Sequence, residues 1–364
     1  MSLANPVFSV VCRLKLLVYV TVFVFFLQQG ARELHADVLF GSQSGPNFSL
    51  TFKEVDNAGN AADTSWRSAG IGSVGYSFGI SEFEISQGMI DVYNYYNPAF
   101  VISYDVMDSN KQRPAVAISW NEAARFVNWL NTSTGAFAAY RVNASSTEIG
   151  NIAAWRSTQT ADFDTSNQFR SKRTTFALPT LNEWYKSAYY DPSLNGGIGG
   201  YWNWGVRTTS APRAVSSGIG ADEVVYQQSL STPPAAISAA GGRNYYDLMA
   251  MSGNAWEWTE TPMDMVWSGV SQRAMAGGAW ADDDPADIAR QNVIYYDPGN
   301  HVPQGGFRVI SLNADQWESG GDVGTFNSVP EPASLSLGLI LCGAAASRRI
   351  LSSFRSVRRK GTET

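Results

Sequence analysis

Cysteine and histidine are almost missing from this chain of 364 residues, which has two of each. The cysteines are Cys12 and Cys342, and the histidines are His35 and His301. Zinc sites of the histidine and cysteine type need several such ligands, and a cysteine nucleophile needs a thiol in the folded body. The sequence therefore excludes both from residues 37–341. It also leaves that part of the chain without a disulfide, so its core alone must hold it together.

Charged residues are also scarce. They make up 16% of the chain, whereas hydrophobic residues make up 44%. This balance is typical of a globular protein and excludes a disordered chain.

The first 36 residues predict a secretory signal peptide. Arg13 and Lys15 precede an apolar run at residues 16–27, and we expect cleavage near Ala36. The run is shorter than the ~17–25 apolar residues that a membrane span needs. An uncleaved anchor is the alternative.

The C-terminal residues 329–364 predict a sorting tail. A Pro-Glu-Pro motif at 330–332 is followed by an apolar segment at 335–346 and then by six arginine and lysine residues. This order resembles the bacterial PEP-CTERM signal, which exosortases recognise and cleave. The resemblance implies exosortase as a partner, transient membrane contact through the tail, and release to the cell surface or extracellular matrix. A simple tail anchor is the alternative, and the polar, Gly-rich residues 313–328 predict a linker.

The body between these ends is acidic. Without residues 1–36 and 329–364 the chain has 17 basic and 29 acidic residues, a net charge of −12. Such a charge disfavours nucleic acid and anionic membranes as partners. It suits solubility and contacts with divalent cations.

Local sequence signals predict strands in the N-terminal part of the body and helices further along the chain. Residues 37–75 alternate short apolar runs with Gly, Asn and Asp turns, which predicts strands and hairpins. A helix is expected from a cap at Ser86 to residue 96. Ser119 with Glu122, and Thr180 with Glu183, have the spacing of capping boxes and predict two more helices. We interpret both glutamates as caps and not as catalytic acids.

The segment Gly-Asn-Ala-Trp-Glu-Trp at residues 253–258 is the densest motif. On a strand, Trp256 and Trp258 would lie on one face and Glu257 on the other. A carboxylate in such surroundings needs a cation, an arginine or amide donors.

Together with residues 246–251, this motif resembles the G-L-Y-D-M-x-G-N-V-W-E-W signature of the formylglycine-generating enzyme (sulfatase-modifying factor) superfamily. Further blocks agree in order and spacing, at residues 114–131, 178–184, 277–280 and 306–308. The resemblance implies a single domain at residues 76–312, preceded by the strand and hairpin segment 37–75. The implied fold is an irregular, C-type-lectin-like α+β domain with low regular secondary structure.

The resemblance breaks down at the catalytic residues. The enzyme that names the family binds copper through two cysteines, and the corresponding positions here are Asp282 and Asp287. Carboxylates do not form the soft thiolate site that holds Cu(I), so no copper is expected. A related branch of iron-dependent sulfoxide synthases needs a histidine cluster, which His301 alone cannot supply.

Calcium is the one cofactor that the resemblance still implies. The family holds a structural calcium through main-chain oxygens that correspond to Gly253 and Ala255, and through the carboxylate of Glu257. A further side-chain ligand of the family is replaced by Ala250, which weakens a site that takes six to eight oxygens. In the alternative, Glu257 pairs with an arginine. The candidates are Arg290 and Arg308.

The acidic run at residues 282–287 lies where the cleft of the family opens. The predicted ligand-binding residues are Asp282, Asp283, Asp287, Asn300, His301 and Trp204. The tryptophan belongs to a segment that resembles the Y-P-W-G turn of the family, and it would serve as a stacking platform. Such a cleft suits a glycan or a peptide, whereas the alternative is a solvated loop.

These observations predict a secreted or surface-attached, noncatalytic module that binds extracellular polysaccharide or a matrix protein. The alternative is a metal-dependent oxidoreductase, or another enzyme of the superfamily, that uses the same cleft. A third possibility is a purely structural role in the matrix.

Overall fold

A computed structural model describes residues 37–65, 70–142, 152–267 and 270–312. The predicted signal peptide, linker and sorting tail lie outside the described residues. Within the described ranges, no helix combines the length and the apolar composition that a membrane span requires.

The helices begin at the predicted caps. Ser119 Oγ accepts the main-chain N–H of Glu122, whose carboxylate accepts the N–H of Ser119 at 2.9 Å. Thr180 and Glu183 form the same reciprocal pair, with the second bond at 2.6 Å. Both capping boxes and the cap at Ser86 are confirmed. The helices are α1 (Gln87–Tyr96), α2 (Trp120–Ser133), α3 (Leu181–Tyr189) and the short α4 (Leu194–Gly197).

Most strands are very short, and three of those described exceed five residues. In chain order they are β1 (Asp37–Gly41), β2 (Asn47–Val55), β3 (Phe78–Ser81), β4 (Arg141–Val142), β5 (Ile152–Ala153), β6 (Phe176–Ala177), β7 (Tyr190–Asp191), β8 (Gly200–Tyr201), β9 (Arg213–Val215), β10 (Glu223–Val225), β11 (Trp256–Trp267), β12 (Val270–Ala276), β13 (Val293–Tyr296), β14 (Gly305–Gly306) and β15 (Ile310–Ser311).

The largest sheet brings the first and last described strands together. Its order is β1-β2-β3-β15-β6, and all neighbouring strands run antiparallel. The hairpin of β1 and β2 joins β3 with Phe52 opposite Ser81. The strands β1 and β2, which precede position 76, are therefore part of the same sheet as β15.

A second sheet, ordered β13-β12-β11-β14, carries the Trp-Glu-Trp motif. β11 pairs antiparallel with β12 and parallel with β14, which places Glu257 opposite Gly306. A Cβ atom at Gly306 would lie 2.8 Å from the carbonyl oxygen of Ala115, so only glycine allows this close approach. Because Arg308 follows two residues after Gly306, the parallel pairing brings it into the neighbourhood of Glu257.

The largest fully buried side chains are mostly aromatic. One cluster contains Trp120, Trp258 and Phe307, and a second contains Trp184 and Tyr185. Long loops connect the short elements that carry these side chains. The prediction of an irregular α+β domain with low regular secondary structure is confirmed.

Candidate functional site

The turn before β11 has a conformation that its sequence explains. Gly253 has a φ of +72°, and a Cβ there would lie 2.3 Å from the carbonyl oxygen of Val225. Asn254 also has a positive φ, +61°, a region that asparagine tolerates better than most residues. Its side chain is fully buried, donates to Glu84 Oε2 at 2.6 Å and accepts the N–H of Ala235 at 2.8 Å.

The strand that follows buries both faces of the motif. Trp256 and Trp258 are buried, and Trp258 Nε1 donates to the carbonyl oxygen of Ile118 at 2.7 Å. Glu257 points away from them but is also fully buried, because Trp184 on α3 covers the other face. Strand alternation therefore predicts the direction of the carboxylate and not its surroundings.

Glu257 forms a two-point ion pair with Arg308. Arg308 Nε lies 2.6 Å from Glu257 Oε2, and Nη2 lies 2.6 Å from Oε1. Trp184 Nε1 donates to Oε2 at 2.6 Å. The guanidinium also donates to the carbonyl oxygens of Ser81 and Met249, both at 3.0 Å, so this buried charge pair is well satisfied.

Of the two alternatives for Glu257, the structure contains the arginine pair. The partner is Arg308 and not Arg290, which lies 3.3 Å from Asp63 Oδ2. A calcium ion held by Glu257, Gly253 and Ala255 would have to share the carboxylate with a guanidinium, and two adjacent cations repel each other. The donor set thus fits an arginine better than a metal, and calcium stays a prediction that removal of divalent cations tests.

Glu84 is a buried carboxyl group next to this pair that the sequence analysis missed. Burial, and then the nearby Glu257 carboxylate, raise the pKa of Glu84 well above its ordinary value, which favours the protonated form. Its Oε1 has no hydrogen-bond partner among the described residues. The only sequence signal is the alternation of Glu84 with the hydrophobic residues Phe83 and Ile85, which does not distinguish a buried carboxyl from an exposed one.

Glu183 has a second role that capping alone does not reveal. Arg170 lies 2.9 Å from Glu183 Oε2 and 2.8 Å from Glu260 Oε2, and all three residues are buried. Burial alone would raise the pKa of Glu183, but the Arg170 guanidinium outweighs burial and lowers it. The arrangement is a structural ion-pair cluster, which agrees with the interpretation that this glutamate is not a catalytic acid.

The acidic loop, residues 282–287, is held by main-chain and side-chain contacts. The carbonyl oxygens of Asp282 and Asp283 accept hydrogen bonds from the N–H and the side-chain amide of Gln227, both at 2.8 Å. Asp282 Oδ2 accepts the N–H of Ala279 at 2.7 Å. Burial, together with the carboxylates of Asp287 and Asp283, raises the pKa of Asp282 to about 6. None of the carboxylates in this loop forms an ion pair with a described residue.

Trp204 lies against the acidic loop, because its Nε1 donates to the carbonyl oxygen of Pro285 at 2.9 Å. The structure therefore places Trp204 beside the loop that carries three other predicted binding residues. These are Asp282, Asp283 and Asp287.

The other two predicted residues make their hydrogen bonds elsewhere. His301 is exposed and its Nε2 lies 3.0 Å from Glu122 Oε2, at the start of α2. The N–H of Asn300 donates to the carbonyl oxygen of Asp297 at 2.9 Å. His301 therefore contacts the start of α2, and Asn300 belongs to the turn before β14, a placement that spacing along the chain does not reveal.

The comparisons with known proteins agree with this architecture. Residues 77–312 match the family model described as the sulfatase-modifying factor enzyme 1-like domain. The chain belongs to this family. This match confirms the predicted resemblance to the formylglycine-generating enzyme superfamily and the predicted fold. The strands β1 and β2 precede the matched residues but complete the sheet around β3.

A solved structure with a TM-score above 0.5 shows the fold at low identity. Treponema denticola variable protein 1 is 21% identical, with a TM-score of 0.52 over 77% of this chain and 99% of that one. CarF is 17% identical, with a TM-score of 0.48 over 72% of this chain and 98% of that one. Such likeness concerns the fold alone. Among curated proteins no match was found.

Proposed function

We propose that the domain is an exported, noncatalytic module that binds extracellular polysaccharide or a matrix protein at the acidic loop. The observation that carries this proposal is the set of carboxylates at residues 282–287, which no described cation neutralises, beside the indole of Trp204. Solvent-facing oxygens next to an aromatic side chain suit a polyhydroxylated ligand.

The loop chemistry also argues for a cation in the complex. Asp283 is exposed and Asp282 is partly exposed, and carboxylates are the preferred ligands of calcium and magnesium. Among the described residues, no three side chains of histidine, cysteine, aspartate or glutamate form a ready metal site. The proposal therefore assigns the remaining oxygen ligands to hydroxyl groups of the bound sugar.

The proposal is tested by retention of the purified protein on exopolysaccharide from its source organism, with calcium or with EDTA. The variant D282A/D283A removes two carboxylates from the loop. Its matched control, D162A, removes an aspartate that pairs with Arg173 elsewhere on the molecule. We expect retention by the wild type and by D162A in calcium, and loss in EDTA or in the double variant.

The outcomes of the retention experiment distinguish the candidate sites and ligands. Retention that is unaffected by EDTA and by the double variant would rule out the acidic loop as the site. Absence of retention under every condition would overturn the glycan proposal and favour a matrix protein, which cross-linking would capture. The melting temperature of the same samples tests calcium at Gly253, Ala255 and Glu257, because loss of a structural calcium in EDTA would lower it.

The alternative is an enzyme that uses the same cleft with oxygen ligands. It is favoured by Asp282, whose pKa of about 6 would let a carboxyl group exchange protons near neutral pH. Stoichiometric iron, copper or manganese in the purified protein would support this alternative over a binding module.

The location of the protein is part of the proposal. The signal-like residues 1–36 and the PEP-CTERM-like residues 329–364 support export, processing by exosortase, and a final position at the cell surface or in the matrix. The intact mass of the exported protein shows whether the signal peptide and the C-terminal tail have been cleaved. A mass that includes the C-terminal tail would instead support the tail anchor.

A further inference from the structure

A second concave site has no residue of the acidic loop in its lining. It is a cavity of about 400 Å³ lined by Trp202, Arg207, Ala221, Arg243 and Asn244. None of these residues belongs to the site predicted from the sequence. The volume is within the range of small-ligand pockets.

One wall of the cavity is fixed by a buried carboxylate. Asp191 accepts hydrogen bonds from Ser193 N at 2.9 Å and from Trp202 Nε1 at 3.0 Å, so the indole is anchored. Arg207 Nε lies 3.4 Å from Asp191 Oδ2, a loose contact, and 52% of the arginine side chain is exposed. The guanidinium of Arg207 therefore keeps most of its hydrogen-bonding capacity for a ligand.

The other guanidinium in the lining, that of Arg243, is anchored. Arg243 Nη2 lies 2.6 Å from Glu82 Oε1, and Nη1 donates to the carbonyl oxygen of Asp247 at 2.5 Å. The side chain is still 35% exposed. Asn244 beside it is locked by its own hydrogen bonds, since its Nδ2 donates to the carbonyl oxygen of Ser187 at 2.6 Å. Side chains that are held in place before binding lose little entropy when a ligand arrives.

The charges around the cavity nearly cancel. Three cations, Arg207, Arg243 and Lys53, are matched by three carboxylates. These are Asp191, Glu82 and Asp247. A phosphate dianion would therefore find no compensating excess of positive charge. A planar monoanion could still use the guanidinium edges, which match a carboxylate in two-point geometry.

We propose that this cavity binds a hexuronate unit of an acidic glycan. The sugar carboxylate would accept hydrogen bonds from Arg207 and Arg243, and the apolar face of the ring would pack on the indole of Trp202. The site does not depend on the acidic loop, and it needs no divalent cation.

The test is calorimetric titration of the full chain with trigalacturonate in buffer that contains EDTA, which also suppresses cation-assisted binding at the acidic loop. We expect R207Q to weaken binding about ten-fold, the effect of one charge-assisted hydrogen bond. R173Q is the matched control, because this arginine is 38% exposed and pairs with Asp162 outside the cavity. It should bind like the wild type.

Two further variants keep the test decisive. A221F retains both guanidinium groups but fills the cavity from an exposed position, so it should abolish binding. D282A/D283A should bind trigalacturonate normally, which separates this site from the acidic loop. Equal loss in R207Q and R173Q, no binding by the wild type, or equal affinity for inorganic phosphate or an uncharged galactose trisaccharide would overturn the proposal.

Discussion

Glu257 and the acidic loop lie close together along the chain but are opposite kinds of site. Glu257 is fully buried, and its two carboxylate oxygens accept hydrogen bonds from Arg308 and Trp184. The carboxylates at residues 282–287 reach solvent to different degrees, and no described cation neutralises them. The carboxylate of the first kind holds the fold, whereas those of the second kind have no ion-pair partner among the described residues.

The difference arises from how each segment is held. The parallel pairing of β11 with β14 places Arg308 beside Glu257. The ion pair between these two side chains therefore links β11 to the segment that follows β14. The acidic loop is fixed partly through main-chain oxygens bound by Gln227. The carboxylates of Asp282 and Asp284 accept nearby main-chain N–H groups, but neither forms an ion pair with a described residue. Substitutions in the two regions should consequently have very different effects on stability.

The largest effect is expected for R308L. It leaves Glu257 buried without its cation, and loss of one partner of a buried ion pair typically costs about 3–5 kcal/mol. Urea denaturation should show a decrease of that size in the free energy of unfolding, or a protein that does not fold.

Two controls sharpen this prediction. The double variant E257L/R308L removes both charges and should recover most of the lost stability, because an apolar pair can replace a buried ion pair. R173Q breaks a partly exposed pair and should change stability by about 0–1 kcal/mol. A small loss in R308L would mean that another cation, such as calcium, compensates Glu257.

Local signals in the sequence predicted the parts of the fold that local contacts determine. Ser119 with Glu122, and Thr180 with Glu183, formed the expected capping boxes because each pair acts within one helical turn. The requirement of the carboxylate of Glu257 for a cation, an arginine or amide donors also follows from elementary electrostatics, although it does not decide among them.

Contacts between distant segments could not be predicted in the same way. Which arginine meets Glu257 depends on the pairing of β11 with β14, a contact across about fifty residues. His301 was expected in the cleft, but its Nε2 meets Glu122 at the start of α2. The cavity between Arg207 and Arg243 has no motif, since its residues come together only through tertiary packing.

The smallest effect is expected for D282N, and it depends on pH. Burial raises the pKa of Asp282 from its ordinary value of 3.8 to about 6, so the folded protein prefers the neutral carboxyl. Ionisation of this group therefore costs no stability below about pH 4; the cost grows between about pH 4 and pH 6, and it is constant above that range. At pH 7.5 the variant should be more stable than the wild type by about 1 kcal/mol, less than the full linkage value because the group is partly exposed. At pH 4 the two should be equal.

D105N is the control for this comparison, because Asp105 is exposed and is not among the groups that shift the pKa of Asp282, so its removal should leave this pH dependence unchanged. Calcium adds a sharper distinction, since a cation bound at the loop would stabilise the ionised form of Asp282 and lower its pKa. In saturating calcium the advantage of D282N at pH 7.5 should therefore disappear or reverse. If D282N is less stable than the wild type in EDTA at pH 7.5, the carboxylate contributes to the fold, and the contrast between the loop and the core does not hold.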